Sequence, residues 1–472
     1  MKRTGRDRLS AVGFIALLLL FAHAPVARAQ DSDAPIAAHL RDAGLKDEWG
    51  YRFLETLTTL IGPRLAATPA EARAAIWAEK TLKEAGFDAV HRESFAMPAW
   101  LRGREEAAVI APAPQRLVVT ALGGSVATPP QGITAEIALF RLYSDLLAAP
   151  PGSLAGKIAV VTQRMPRVMD GSSYGAANPI RRRGPSEAAK RGAIAYLNRS
   201  LGTDNHRLAH AGATNYESDA PRIPAAALSN PDADQLERLA ARGKVRIHLL
   251  LTPRTEENAQ SWTVSAELKG SERPDETVLI GAHLDSWDLG TGAIDDGAGD
   301  AIVAGAAHLI AQLKPRPKRS LRVVLFGAEE MDYSGPAYAK AHGDEAPHIA
   351  LAAESDFGAR KIYAFLAPPG SAKTAFIKTL ADTLTPLGIF LAREPALRSG
   401  DDIAPLAKLG VPVIAMRQNG LDYFDIHHTA DDTFDKVDPQ ELDQNIAAWA
   451  AMAYLAAQSD LDFRRLAADA QH

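Results

Sequence analysis

The sequence predicts an α/β protein with a mostly parallel central sheet, helices on both faces of it, and a second α/β unit inserted into the main one. Three observations carry that reading. Strand-like and helix-like stretches alternate from Ser261 onward, residues 133–251 hold a separate alternation of their own, and 472 residues exceed what one compact core usually covers.

Taken from the N-terminus, Lys2, Arg3, Arg6 and Arg8 precede an apolar run from Ala11 to Ala24, followed by Ala27-Arg28-Ala29. That is signal-peptide anatomy over residues 1–29. The run falls short of the roughly 20 apolar residues that span a bilayer, so the mature chain is expected to be exported, periplasmic or secreted, and clear of the membrane once the signal is removed. Residues 30–115 form the first part of the main domain. Within it, residues 34–60 and 70–85 have helical spacing, with Thr68-Pro69 as a helix start. An exposed linker is expected next, punctuated by Ala111-Pro112-Ala113-Pro114 and Thr128-Pro129-Pro130-Gln131-Gly132, with a strand at 117–120 between them. Residues 116–255 are the insert, with strands at 133–139, 157–162, 193–197 and 245–251 and helices at 186–191 and 232–242. Residues 256–472 complete the main domain. Its strands fall at 277–281, 321–326, 349–353, 362–365 and 411–416, and its helices at 298–313, 371–387 and 439–457. In such a sheet, active residues gather just beyond the strand ends.

Composition narrows the chemistry. With 47% hydrophobic and 23% charged residues the chain is ordinary globular protein, and its net charge of -5 offers no basic field for nucleic acid. There is no cysteine, which leaves out disulfides, thiolate metal ligands and a cysteine nucleophile. Histidine, aspartate and glutamate remain as metal side chains.

Those residues cluster at four successive element ends. His283 leaves the apolar strand Thr277-Val278-Leu279-Ile280, and between residues 281 and 300 stand Asp285, Asp288, Asp295, Asp296 and Asp300 with no lysine or arginine. Carboxylates so crowded repel unless a cation or proton compensates. Gly290, Gly292, Gly297 and Gly299 let the loop fold back and return Asp295 towards His283. Glu329-Glu330 ends a second buried-type strand, Glu354-Ser355-Asp356 a third apolar run, and His427-His428 lies among Asp425, Asp431 and Asp432. Each cluster alone reads equally well as a solvated turn or a hydrogen-bonded structural histidine. Their joint occurrence points to a metal site.

On His283-Leu284-Asp285-Ser286-Trp287-Asp288, Asp295-Asp296-Gly297, Glu329-Glu330, Glu354-Ser355-Asp356 and His427-His428, the sequence resembles the two-zinc aminopeptidase-fold exopeptidases through most of the mature chain. Within them it is similar to a carboxypeptidase subgroup that carries an inserted protease-associated domain. Segments 156–161, 188–193 and 223–226 of the insert resemble that domain. The resemblance implies the zinc exopeptidase fold and two Zn2+ per chain. Asp295 would be shared by both ions, His283 and Asp356 would complete one site, and Glu330 and His428 the other. Asp285 would orient His283 from behind, and Glu329 would be the general base. Relatives place a tyrosine beside the last histidine, where this chain has His427; His427 or Tyr423 is therefore the candidate oxyanion donor. Glu354 stands as a rival to Asp356, and His427 to His428.

The expected reaction is hydrolysis of dipeptides or short peptides by a metal-activated water, of carboxypeptidase or dipeptidase type. Two readings compete. One is an aminopeptidase of the same family, and the other a catalytically inactive binding protein on this fold. Arg398, Ser399, Gly400, Asp401 and Asp402 are a candidate substrate loop, the arginine suited to a carboxylate and the acids to an amine. The expected partner is a small peptide and not nucleic acid, with homodimerisation left open.

Overall fold

The structure is a computed structural model that describes residues 33–469. The signal-peptide expectation for residues 1–29 lies outside the described residues. Among those described, no helix is long and apolar enough to cross a membrane.

The main sheet has five strands in the spatial order Ala89–Leu101, Arg254–Leu268, Arg319–Phe326, Arg273–His283, Ile349–Glu354. The last three run parallel to one another, while Ala89–Leu101 and Arg254–Leu268 join antiparallel. A parallel bridge from Ala352 to Val413 leads on to a small sheet of Phe390–Leu391, Ile362–Leu366 and Ala415–Gln418. The sheet is thus mixed, which corrects the expectation of a mostly parallel one. The parallel strands are apolar on both faces and announce themselves. The antiparallel pair forms one rim, where exposed polar residues such as the adjacent Glu93 and Ser94 interrupt the apolar pattern.

The same rim corrects a second expectation. The stretch between residues 85 and 111, read as an exposed linker, is instead the 13-residue strand Ala89–Leu101 followed by the strand Glu105–Ala111. Pro98 argues against a strand in the sequence, and here it sits where the pairing register shifts between Met97 and Ala99.

Period-two alternation sends residues to opposite faces. Val278, Ile280, Ala282, Leu321, Val323 and Leu325 pack into the larger core, with the helices Pro69–Glu84, Ala298–Ala311 and Pro439–Gln458. Leu279, Val324 and Phe326 point the other way, against Tyr338, Ile403 and Leu406. Helices therefore cover both faces, as expected. Pro439–Gln458 is apolar almost all round and nearly wholly buried, between Asp33–Gly44 and Ala298–Ala311. The Thr68-Pro69 start holds: Thr68 accepts a hydrogen bond from the Glu71 amide and Pro69 opens the helix.

Residues 105–251 build a separate eight-stranded mixed sheet, with one set of its side chains in a second apolar cluster and another set joining the larger core. Its strands Ile133–Phe140, Ile158–Val161, Ala195–Arg199 and Arg246–Leu251 and helices Gly184–Lys190 and Asn230–Ala240 lie within a few residues of the expected positions.

Candidate active site

Three parallel strands deliver the first clusters to one end of the main sheet. His283 ends Arg273–His283, Glu329 and Glu330 follow Arg319–Phe326, and Asp356 follows Ile349–Glu354. The loop after His283 does return: His283 Nε2 lies 3.1 Å from Asp295 Oδ1 and 3.5 Å from Asp356 Oδ1. On the other side, His428 Nε2 lies 3.1 Å from Asp295 Oδ2 and 3.0 Å from Glu330 Oε2. The two oxygens of one carboxylate thus face two different histidines.

These separations, 3.0–3.5 Å, come close to what a shared ion requires. Donors at about 2.0–2.2 Å from a tetrahedral ion sit about 3.3–3.6 Å apart. Asp295 Oδ2 approaches His428 closely yet accepts no hydrogen bond, and Glu330 Oε1 is buried with no hydrogen-bond partner among the described residues. Buried acceptor atoms left without a donor are suited to take a cation. His283, Asp295 and Glu330 have donor atoms within 4.8 Å of one another, and so do Asp295, His427 and His428.

The charge balance points the same way. Burial raises Glu330, and it raises Asp356 as well. Burial also raises Glu329, reinforced by Asp356 and Glu330. Burial would lower His283, but its contacts with Asp285, Asp295 and Asp356 outweigh this and hold it well above the usual imidazole range. Asp295, surrounded by His283, His427 and His428, is held well below the carboxylate range in spite of burial. Without an ion the cluster relies on bound protons, which a dication would displace.

The supporting contacts are specific. His283 Nδ1 lies 3.1 Å from the Asp285 carbonyl and 3.4 Å from its Oδ1, and that same Oδ1 accepts the Glu329 amide at 3.0 Å. Asp285 therefore ties the histidine to the Glu329-Glu330 turn. Glu354 lies apart from the histidines, with its carboxylate accepting the amides of Asp402 and Ile403. His427 stacks on His428 at 3.5 Å between centroids, with Nε2 3.4 Å from Asp295 Oδ2. Tyr423 lies beside it, ring centroids 5.0 Å apart, and burial together with Asp295 and Asp356 keeps its phenol protonated. Asp295, Glu329, Glu330, Asp356, Tyr423, His427 and His428 all line one cavity of about 410 Å³. Of the candidate substrate loop, Arg398, Gly400 and Asp401 reach that cavity. Ser399 instead bonds the Glu354 amide, and Asp402 the Ser334 hydroxyl.

Sequence reasoning gave no role to several residues that shape this site. Asp432, 3% exposed, accepts the amides of Ile294 and Asp295 and so fixes the returning loop. Arg64, fully buried, donates to the carbonyls of Leu284, Thr291 and Gly292 beneath it. From the insert, the Ala211 carbonyl lies 3.1 Å from His428 Nδ1, and Tyr174, Asn178, Arg181 and Arg182 line the cavity. For the insert's residues, the consecutive Arg181-Arg182-Arg183 was the sign available in the sequence.

A model of peptidase family M28 matches residues 263–453. Carboxypeptidase Q of Rattus norvegicus is 36% identical over 413 residues, which cover 87% of this chain and 85% of that protein. The solved structure of a peptidase M28 precursor from Shewanella amazonensis SB2B superposes with a TM-score of 0.89 at 44% identity, covering 92% of this chain and 98% of that one. A zinc aminopeptidase from Bacillus subtilis shares the fold, with a TM-score of 0.60 at 19% identity over 86% of this chain and 93% of its own.

Proposed function

Because the chain belongs to peptidase family M28 and is a metallo-exopeptidase, we propose that it removes residues from dipeptides or short peptides as a two-zinc carboxypeptidase or dipeptidase. His283, Asp295 and Asp356 would hold one ion, and Asp295, Glu330 and His428 the other. The observation that carries this reading is Asp295, whose two oxygens face His283 and His428 at 3.1 Å each.

When bound, the ions supply an acidified water and a Lewis acid for the scissile carbonyl. The chain's own groups do the rest. Asp285 fixes the His283 ring and the start of the Glu329-Glu330 turn. Glu329, which lines the same cavity and is raised by burial and by Asp356, would take the proton of the attacking water. It then passes that proton to the leaving amine. His427 or Tyr423, side by side on the cavity wall, would donate to the oxyanion.

We further propose that residues 1–29 are a signal peptide and that residues 116–255 form a protease-associated domain. The mass of the exported protein tests the first; an N-terminus other than Gln30 would refute it.

Incubating the zinc-loaded chain with dipeptides and with amino- or carboxy-blocked longer peptides, and weighing the products, tests the reaction. Loss of single residues from free carboxyl ends, abolished by a chelator, is expected. Hydrolysis that survives complete metal removal would overturn the proposal.

A further inference from the structure

The helix Ser172–Arg182 of the insert reaches the cavity, and two of its side chains that line it are arginines. They differ in one respect. Arg182 is paired with Asp332, as Arg398 on the facing loop is paired with Asp401. Arg181, only 3% exposed, has no carboxylate within ion-pair distance among the described residues.

What holds Arg181 is weak. One terminal nitrogen donates to the Ala211 carbonyl at 3.4 Å and the other to Asn178 Oδ1 at 3.3 Å, both near the limit for a hydrogen bond, and Nε has no partner. The guanidinium carbon lies 5.4 Å from the centre of the Tyr174 ring. The group also rests on Gly212, where a Cβ would come within 2.1 Å of Nη1, so the backbone has been cleared to seat it. A buried guanidinium held only by neutral groups is costly unless an anion completes it, and a carboxylate matches its paired N–H groups.

None of the described residues supplies that anion. The acids of the same cavity, Asp295, Glu329, Glu330 and Asp356, lie at the proposed metal end, which leaves Arg181 as a cavity-lining arginine without a carboxylate partner among the described residues. We propose that Arg181, with Asn178 beside it, binds the free α-carboxylate of the substrate's last residue and so selects carboxyl ends and dipeptides. This rests on the peptidase reading of the same cavity.

The test compares wild-type chain, Arg181→Met and Arg181→Lys, each zinc-loaded, on three substrates: a neutral dipeptide, its carboxyl-terminal amide, and a dipeptide amide ending in glutamate. Wild type should favour the free acid over its amide by about 10–100-fold in kcat/KM, the worth of one charge-assisted contact. Arg181→Met should lose most of that factor on the acid through KM, bringing the acid-to-amide ratio near 1, and Arg181→Lys should recover part of it. Equal losses on acid and amide would reduce Arg181 to a structural role and overturn the proposal. So would an Arg181 dependence that follows the glutamate side chain. Calorimetric binding of a free amino acid against its amide keeps the two readings apart. Tenfold or greater preference for the acid in wild type, lost in Arg181→Met, supports the inference even if no peptide is cleaved; no preference refutes it.

Discussion

Replacing Asp432 by alanine should weaken metal binding while leaving the fold nearly as stable as before. Asp432 Oδ1 accepts the Ile294 amide at 2.6 Å and Oδ2 the Asp295 amide at 3.1 Å. Removing it leaves two buried N–H groups without partners, at about 1–3 kcal/mol each, or roughly 2–6 in total. Against that stands the burial of the charge itself. Burial, with Asp295 close by, pushes this carboxyl from 3.8 up to about 7. Such a displacement corresponds to about 4 kcal/mol of disfavoured charge at pH 7 and above. The two sums nearly cancel, so thermal unfolding of the metal-free chain should move by only a few degrees. Asp295, however, loses the contact that fixes its backbone between the two histidines. Loss of comparable supporting contacts lowers metal affinity about 10–100-fold. Competition of zinc against a fluorescent chelator measures this directly, and Asp432→Asn, which keeps one acceptor, should fall between. Wild-type zinc affinity in Asp432→Ala would refute the reasoning, and unfolding at much lower temperature would show that the cancellation is wrong.

Further outcomes follow from the same geometry. Glu329→Gln should bind zinc normally while turnover falls by about 10²–10⁴-fold, as seen by metal analysis beside steady-state rates; near-normal hydrolysis would remove Glu329 from its role. Asp285→Ala frees His283 Nδ1 and the Glu329 amide together, and should cost about 10–100-fold in zinc affinity along with a drop in kcat. Zinc binding itself should release protons. His283 and His428 are held well above the usual imidazole range by the carboxylates beside them, so the empty cluster carries protons on these rings that the ion must displace. Apparent affinity should therefore rise as pH rises through and above neutrality. Calorimetry in buffers of different ionisation enthalpy counts the protons, and a count of zero would contradict the charge balance.

The parts of this protein that were legible in its sequence share a physical cause. Strands 277–281, 321–326 and 349–353 are buried on both faces, so unbroken apolar runs mark them, and the polar residues that end them stand out. That contrast gave His283 and the clusters Glu329-Glu330 and Glu354-Ser355-Asp356. The rim strand Ala89–Leu101 was illegible because only part of it is buried and a proline stands at its bulge. Strand direction leaves no trace in side chains either, so the antiparallel rim was missed. At the site, Glu354 and Asp356 could not be ranked from their letters, since two residues' difference turns one carboxylate to a backbone loop and the other towards His283. The insert's part was hidden for another reason: the Ala211 contact with His428 uses a carbonyl and spans 217 residues.

The most direct test is a count of zinc in the metal-reconstituted chain and in Asp295→Ala, by mass spectrometry after exhaustive dialysis. If one carboxylate serves two ions, wild type holds two equivalents and Asp295→Ala fewer than one, with the fold intact by circular dichroism. A single equivalent in wild type, or two retained without Asp295, would contradict the shared site.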